Sequence, residues 1–285
     1  MSDRSGFMQS ARQRQQMTKV LLYVLVIVGA IMAMLPMVWM VSASLMPSGE
    51  ASTYPPHFFP SRPTLDHYRD LFIRLNLGRN LLNSAFVAFI VTFVSLLINS
   101  LAGYAFAKMR FKGSDRVFRI LSAGLVLPTQ VAMLPLFLLL KQMHLINTYW
   151  GVIIPGLASI FGIFLVRQYA LSIPDEMLDA ARVDGASEFR IFRSIVVPGI
   201  MPILATLSIW TFLATWNDFM WPLIVLSDAS HYTLPVALAN LTGEHVQDTE
   251  LMMAGSVLTV IPVMVVFLFL QRYYMQGVMA GSVKG

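Results

Sequence analysis

Six long apolar stretches limit what this chain can fold into. Each contains about 20 or more mostly apolar residues, the length that a helix needs to cross roughly 30 Å of hydrocarbon. They are Val20–Leu45, Leu81–Ala107, Val117–Leu140, Tyr149–Leu171, Gly199–Leu226 and Leu251–Leu270. Of the 285 residues, 56% are hydrophobic and 12% are charged, whereas soluble domains carry about 25% charged residues. The sequence therefore predicts an all-α integral membrane protein with six transmembrane helices.

The basic residues indicate which side of the membrane each connecting segment faces. If the chain crosses six times, fifteen of its twenty Lys and Arg lie on the same side as the two termini. Because cytoplasmic segments are enriched in Lys and Arg, both termini are predicted to be cytoplasmic. The same distribution accounts for the net charge of +5 without nucleic acid as a partner. The first apolar stretch is longer than the roughly 7–15 residues of a signal peptide, so we interpret it as a retained span.

The spans and charges together predict the organisation of the chain. It comprises a cytoplasmic segment at 1–19, a six-span membrane domain at 20–270 and a cytoplasmic tail at 271–285. Two long outer loops are predicted at 46–80 and 227–250, and a long cytoplasmic loop at 172–198. The first outer loop contains five prolines, which exclude a continuous helix across its first half. We expect an external cap with a short helix near Leu65–Leu75.

The cytoplasmic loop at 172–198 is predicted to begin with a short helix. Ser172 offers a capping hydroxyl, Pro174 suits the first helical turn, and acidic residues follow at the positive end of the helix dipole. The helix is predicted from about Pro174 to Val183. Gly185 then permits a left-handed turn that costs other residues about 1–2 kcal/mol.

A second helix is predicted after this turn. Ser187 can cap it, and Phe189, Phe192 and Val196 recur with helical spacing, which predicts one apolar face. Pro198 ends the element and opens the next span. Such a helix–turn–helix suits docking into a groove of a partner protein. The alternative is an amphipathic helix that packs against its own membrane domain.

One spacing in this loop identifies a family resemblance. Asp179-Ala180-Ala181 is followed after three residues by Gly185, and after nine more by Ile195-Val196-Val197-Pro198. This resembles the E-A-A-x3-G-x9-I-x-L-P loop signature of ABC importer permeases, with Asp in place of Glu and Val in place of Leu. Further similarities are Trp216–Leu223, Thr233–Leu238 and the terminal Ala280–Gly285. Nearly the whole chain resembles the second permease subunit of maltose-type ABC carbohydrate importers.

The resemblance implies a type I ABC importer permease fold in the cell inner membrane. It implies that the loop carries a coupling helix seated in a cleft of a cytoplasmic ATPase, with Asp179 or Asp184 meeting a basic residue there. The shorter Asp at 179 leaves its contact open. The implied ATPase-coupling residues are Glu176, Asp179, Ala180, Ala181, Asp184, Gly185, Ala186, Ser187, Phe189 and Pro198.

The resemblance also implies the partners. They are a second homologous permease that completes the translocation pathway, two cytoplasmic ABC ATPases and an extracytoplasmic sugar-binding protein. The chain itself contains no G-x-x-x-x-G-K-[ST] phosphate loop, so we expect no cofactor here and ATP with Mg in the ATPase. We expect no enzymatic activity in this chain. The resemblance implies that Thr233, Leu234, Pro235 and Val236 contact the binding protein.

Polar residues within spans are candidates for the translocation pathway, because they are costly in lipid. The candidates are Asn99, Gln130, Thr215, Trp216, Asn217, Asp218 and Trp221. Asn99 shares a helix face with small residues, which also favours tight helix packing. The two tryptophans also fit an interfacial aromatic belt. Near Gln130, Pro128 predicts a helix break in the third span.

Three classes of function are compatible with these features. An ABC importer permease is favoured; a self-contained secondary transporter would show ionisable residues at mid-membrane, and those found lie near span ends. A membrane scaffold or enzyme is the third class, although no catalytic cluster is evident. The five histidines are scattered, so no metal site is predicted. The sequence does not specify which sugar or polyol is carried.

Overall fold

The computed structural model describes residues 3–55, 57–73, 75–244 and 248–282, and these residues form helices without any strand. The helices are α1 (Asp3–Ala43), α2 (Asp66–Ile73), α3 (Leu77–Lys108), α4 (Ser114–Ala123), α5 (Thr129–Gln142), α6 (Tyr149–Ile153), α7 (Ile160–Leu171), α8 (Asp175–Val183), α9 (Glu188–Ile191), α10 (Val197–Gly199), α11 (Met201–Trp216), α12 (Met220–Val225), α13 (Leu234–Glu244) and α14 (Thr249–Ser282). Residues 283–285, within the predicted tail, lie outside the described residues.

Between four and six segments of the described chain are long and apolar enough to span a membrane. Four are single helical segments: Gln16–Ala43, Leu77–Lys108, Tyr149–Leu171 and Thr249–Phe269. The other two are bent pairs: Ser114–Val126 with Thr129–Gln142 at 107°, and Glu188–Gly199 with Met201–Trp216 at 79°. The six predicted spans are recovered if each bent pair counts as one span.

The bend before α5 has a local cause. Leu127 and Pro128 are both extended, with ψ of 125° and 130°. A proline disfavours helical conformation in the residue before it, so the chain leaves the helix at Leu127 and starts a new one at Thr129. The predicted break near Pro128 is therefore confirmed. The predicted fifth span is also divided, because α11 ends at Trp216 and α12 begins only at Met220.

The chain divides into two compact units, 1–71 with 245–258 and 72–244 with 259–285. In the first unit, the segment after α1 folds through specific hydrogen bonds. The backbone N–H of Ala51 donates to Oε1 of Glu250 over 2.7 Å, and Nε2 of His67 lies 2.9 Å from the carbonyl oxygen of Met46. α2 confirms the short helix predicted near Leu65–Leu75.

In the second unit, α3 packs along α7 and α11. A Cβ atom on Gly103 would lie 2.5 Å from Cγ1 of Val166, so the absence of a side chain allows this close approach. One buried cluster joins the end of α3 to α7, the 172–198 loop and α11; its members include Tyr104, Val166, Leu178, Ile191, Phe192, Ile200 and Leu207. The 172–198 loop is thus anchored to the helices that flank it.

Candidate functional site

The 172–198 segment, hereafter the docking loop, begins with α8. Pro174 precedes the helix in an extended conformation, and Asp175 and Glu176 occupy the first turn as predicted. The predicted capping by Ser172 is wrong. Its hydroxyl instead donates to the carbonyl of Tyr169 over 2.7 Å, because Ser172 still belongs to the end of α7.

The turn after α8 is a Schellman motif. The N–H of Gly185 donates to the carbonyl of Arg182 over 3.0 Å, and the N–H of Ala186 donates to that of Ala181 over 2.9 Å. These two bonds satisfy carbonyls that the helix end leaves free. Gly185 has φ of +80°, and no atom lies within 4 Å of where its Cβ would be. Glycine is therefore favoured here by the backbone conformation and not by lack of space.

A second short helix follows, as predicted. Oγ of Ser187 accepts a hydrogen bond from the N–H of Arg190 over 3.3 Å and caps α9. A π-helical turn at Phe192–Val196 and then α10, which contains Pro198, complete the loop. Phe192 and Val196 are buried, but Phe189 is 66% exposed. Phe189 therefore lies at the exposed edge of the predicted apolar face, with its ring centroid 6.5 Å from that of Phe192.

The docking loop has one buried face and one exposed face. Leu178 is 1% exposed and, with Ile191, attaches the loop to the buried cluster. The predicted coupling residues divide between the faces: Ala181 and Ala186 are half-buried, while Glu176, Asp179, Ala180, Asp184, Gly185, Ser187, Phe189 and Pro198 are exposed.

The exposed face of the docking loop also carries apolar side chains. Val183 is 87% exposed and Met177 is 50% exposed, in addition to Phe189. Large apolar side chains left exposed among polar residues are candidates for a surface that another molecule covers.

Charged side chains link the two helices of the docking loop. Nη1 of Arg182 lies 2.7 Å from Asp179, and Nε of Arg182 lies 2.8 Å from Glu188. The hydroxyl of Tyr104 on α3 donates to Glu188 over 2.7 Å. Asp179 is therefore paired within the chain. No hydrogen bond or ion pair of the Asp184 side chain is found among the described residues.

Lys108, at the end of α3, holds the start of α8. Its Nζ donates to the carbonyl of Ile173 and to Oδ1 of Asp175, both over 2.6 Å. Hydrogen bonding to Lys108, and then its charge, hold the pKa of the Asp175 carboxyl below its ordinary value. A cavity of about 600 Å³ lies here; its charged lining residues are Lys108, Arg110, Asp175, Asp179, Arg182 and Glu188.

Sequence reasoning missed four residues that fix the geometry of this site: Tyr104, Lys108, Arg182 and Glu188. The two basic residues were counted only as evidence for membrane orientation. Tyr104 and Glu188 are 84 positions apart, so no local pattern signals their contact. The i, i+3 spacing of Asp179 and Arg182 was a readable signal for their ion pair.

Asn99 joins two helices in the interior. Its Oδ1 accepts from the backbone N–H of Ser159 over 3.0 Å, and its Nδ2 donates to Ser95 over 2.9 Å. A side chain on Gly162 would collide with the Asn99 amide. These contacts favour the packing interpretation of Asn99 over a place in the translocation pathway.

Trp216 and Trp221 are also interior residues. Trp216 is 1% exposed, and its indole N–H donates to the carbonyl of Thr259 over 3.1 Å. Trp221 is 7% exposed, and its indole N–H donates to the carbonyl of Gly151 over 3.2 Å. Neither ring presents a free face, which favours a structural role over the pathway or belt predicted from sequence.

The other pathway candidates lie nearer the surface of this chain. Gln130 is exposed just after the bend, and Thr215 is half-buried. Asn217 donates to the carbonyl of Leu213 over 2.9 Å at the end of α11, and Asp218 accepts from the N–H of Trp221 over 3.3 Å at the start of α12. These four remain candidates.

The segment that is predicted to contact the binding protein, Thr233–Val236, is partly buried within the fold. Leu234 and Val236 are fully buried and Thr233 is nearly so, whereas Pro235 is half-buried. The N–H of Leu234 donates to Oγ of Ser84 on α3 over 2.7 Å. The burial of Leu234 and Val236 favours an anchoring role for these two side chains, and contact of the segment with the binding protein stays a prediction.

The helical segments of spanning length among the described residues are typical of an integral membrane protein. Residues 95–279 match the family of binding-protein-dependent transport system inner membrane components, and the chain belongs to this family. It is therefore a membrane permease subunit of a binding-protein-dependent importer.

Individual relatives agree with this assignment. The arabinooligosaccharides transport system permease protein AraQ of Halalkalibacterium halodurans is 38% identical over 259 residues, covering 90% of this chain and 93% of that protein. The lactose transport system permease protein LacG of Rhizobium radiobacter is 32% identical over 271 residues, covering 95% and 98%.

The fold is likewise that of a known type. A chain from a bacterial ABC transporter involved in the import of the acidic polysaccharide alginate superposes with a TM-score of 0.79 and 24% identity, covering 92% of this chain and 98% of that chain. The type I ABC importer permease fold predicted from sequence is confirmed.

Proposed function

We propose that this permease carries a sugar or a related polyol and forms half of the translocation pathway with a second, homologous permease. The carbohydrate assignment is supported by the relatives whose names specify arabinooligosaccharides and lactose. The described residues contain at most six candidate spans, which are few helices to enclose a passage, and this supports pairing. An extracytoplasmic binding protein would deliver the substrate.

In this proposal the docking loop couples transport to two cytoplasmic ATPase subunits that bind ATP and Mg. Both termini and the docking loop would face the cytoplasm. The proposal rests on the exposed face of the docking loop, whose backbone is held in place by contacts within its own chain. Met177, Val183 and Phe189 are exposed beside acidic side chains, while Leu178 holds the loop to its own chain.

Substitution of Val183 tests docking of the ATPase most directly. Because it is 87% exposed, a Val183→Asp substitution removes almost no packing within the permease but places a charge in the proposed interface. We expect the tagged variant, co-expressed with its neighbouring genes, to retain the second permease in mild detergent and to lose the ATPase. Leu65→Asp, at a residue 67% exposed in the predicted outer segment, is the matched control.

The substrate class is tested with the parent complex. We expect ATP hydrolysis to rise when the binding protein is added with an accepted sugar, and a panel of arabinooligosaccharides, lactose and glycerol 3-phosphate can be screened in this way. A chain that purifies alone and transports in liposomes without ATP would contradict the proposal. Such a result would favour a self-contained transporter.

A further inference from the structure

Two sets of hydrogen bonds join α3 to loops at its opposite ends. At one end, Tyr104 and Lys108 hold the docking loop through Glu188, Asp175 and the Ile173 carbonyl; we name this set the loop clamp. At the other end, side chains of α3 hold residues 229–234; we name this set the far clamp. Its α3 members are Asn80, Asn83 and Ser84.

The far clamp consists of several hydrogen bonds within a short segment. Nδ2 of Asn83 lies 3.0 Å from the carbonyl oxygens of both Ser230 and Tyr232, and its Oδ1 accepts from the hydroxyl of Tyr149 over 2.8 Å. Nδ2 of Asn80 donates to the carbonyl of Ala229 over 3.2 Å. With the bond from Leu234 to Ser84, the backbone of 229–234 is attached to α3 at several points.

The clamp residues of α3 are buried. Tyr104, Asn80, Asn83 and Ser84 are each less than one-tenth exposed. A buried polar group that loses its partner keeps its desolvation cost, so such bonds hold their partners more firmly than surface bonds do. Both clamps are therefore attachments that would move with α3.

α3 is continuous between the clamps. From Ser84 to Tyr104 the helix rises about 30 Å at 1.5 Å per residue, close to the hydrocarbon thickness. It has no internal proline, whereas α1, α5 and α14 each contain one and the Tyr149–Leu171 span is interrupted at Ile154–Gly156. Its C-terminal third packs closely against Val166 of α7 at Gly103 and against Ser159, the residue before α7, at Asn99.

We propose that α3 transmits movement of the docking loop to residues 229–234, with Tyr104 and Asn83 as positioning residues for this coupling. The inference rests on the proposed function, because the ATPase contact of the docking loop is itself a proposal. When the ATPase displaces the docking loop, the loop clamp draws α3 with it. The far clamp then displaces 229–234, and linkage requires that a partner acting on 229–234 bias the docking loop in return.

The test uses the whole complex in liposomes and needs no knowledge of the sugar. The chain has no cysteine, so Ala229→Cys at an exposed position gives this chain a single labelling site for a water-soluble maleimide, and labelling is measured on this chain after the subunits are separated. Mg-ATP with vanadate is the probe. We expect it to change the labelling rate of the reporter, and we expect Tyr104→Phe and Asn83→Leu each to reduce that change while the ATPase stays bound.

Matched variants separate coupling from simple damage. Tyr169→Phe removes a hydroxyl from a residue packed on the same buried cluster, and Ser100→Ala removes one that donates to Leu97 within α3. We expect both to keep the labelling response. The double variant Tyr104→Phe/Asn83→Leu should lose no more than either single variant, because both act on one route.

Two outcomes would overturn the inference. One is a normal labelling response in Tyr104→Phe; the other is a loss of response in Tyr169→Phe equal to that in Tyr104→Phe. If Asn83→Leu does not assemble, Ser84→Ala is the milder substitution in the far clamp and must reduce the response instead. Failure of the proposed function gives a different result, since Val183→Asp would then retain the ATPase.

Discussion

At the scale of single residues, Gly185 has a left-handed backbone conformation that other residues rarely adopt. Because its φ is +80° and the space around it is open, Gly185→Leu strains only the turn, by about 1–2 kcal/mol. We expect this variant to be expressed and inserted normally but to transport poorly, because the Schellman turn sets the angle between α8 and α9. Uptake by cells and membrane abundance are the measurements.

Gly113 provides a matched control for that substitution. It has φ of +85° and equally open surroundings, but it lies before α4, outside the docking loop. Gly113→Leu should carry a similar local strain and leave transport largely intact. Equal losses in both variants, or normal uptake in Gly185→Leu, would remove the coupling role from this turn.

Asp179 and Asp184, two of the five acidic residues of the docking loop, should behave differently. Asp179 is already paired with Arg182, whereas Asp184 lies exposed at the end of α8. We expect Asp184→Asn to weaken ATPase binding by about 2–5 kcal/mol if its partner is a buried basic residue. The melting temperature of the permease should not change. Measured in the same way, a larger loss of binding in Asp179→Asn would show that Asp179 makes the contact instead.

At the scale of elements, the anchoring of 229–236 makes Leu234 a stability residue. Leu234→Ala removes a fully buried side chain and is expected to lower the free energy of unfolding by about 2–5 kcal/mol. Thermal unfolding of the purified protein measures this. Asn240→Ala, on the exposed side of the same helix α13, is the control and should leave stability unchanged. Equal stability of the two variants would contradict the buried anchor.

Local chemistry in the sequence predicted the docking loop well where short-range signals decide the structure. Pro174, Gly185 and Ser187 each have a defined effect on the neighbouring backbone, and α8 and α9 lie where these residues predict them. The capping prediction for Ser172 was wrong because the end of the preceding helix, α7, competes for its hydroxyl. No local signal reveals such competition.

Contacts between distant segments decided the remaining residues. The sequence around an intramembrane Trp or Asn does not distinguish a residue that faces a pathway from one that packs against a neighbouring helix. Only the bonds from Trp216 to Thr259 and from Asn99 to Ser159 distinguish the two. The buried Leu234 likewise depends on Ser84, 150 positions away.

At the scale of the whole molecule, the absence of cysteine allows a clean test of topology. Lys112 and Lys141 are exposed and are predicted on opposite sides of the membrane. We expect a membrane-impermeant maleimide to label Lys141→Cys in intact cells and to label Lys112→Cys only after permeabilisation. Labelling of Lys112→Cys in intact cells would reverse the predicted orientation of the docking loop.

The interior positions of two tryptophans determine what the protein's own fluorescence can report. Trp216 and Trp221 are shielded from solvent and bonded to backbone carbonyls of other helices, whereas Trp150 and Trp210 are more than half exposed. Emission from the buried pair depends on how α11 and α12 pack against their neighbours. A spectral change from these two indoles on adding substrate would therefore record rearrangement of the protein interior, not a sugar lying against an aromatic ring.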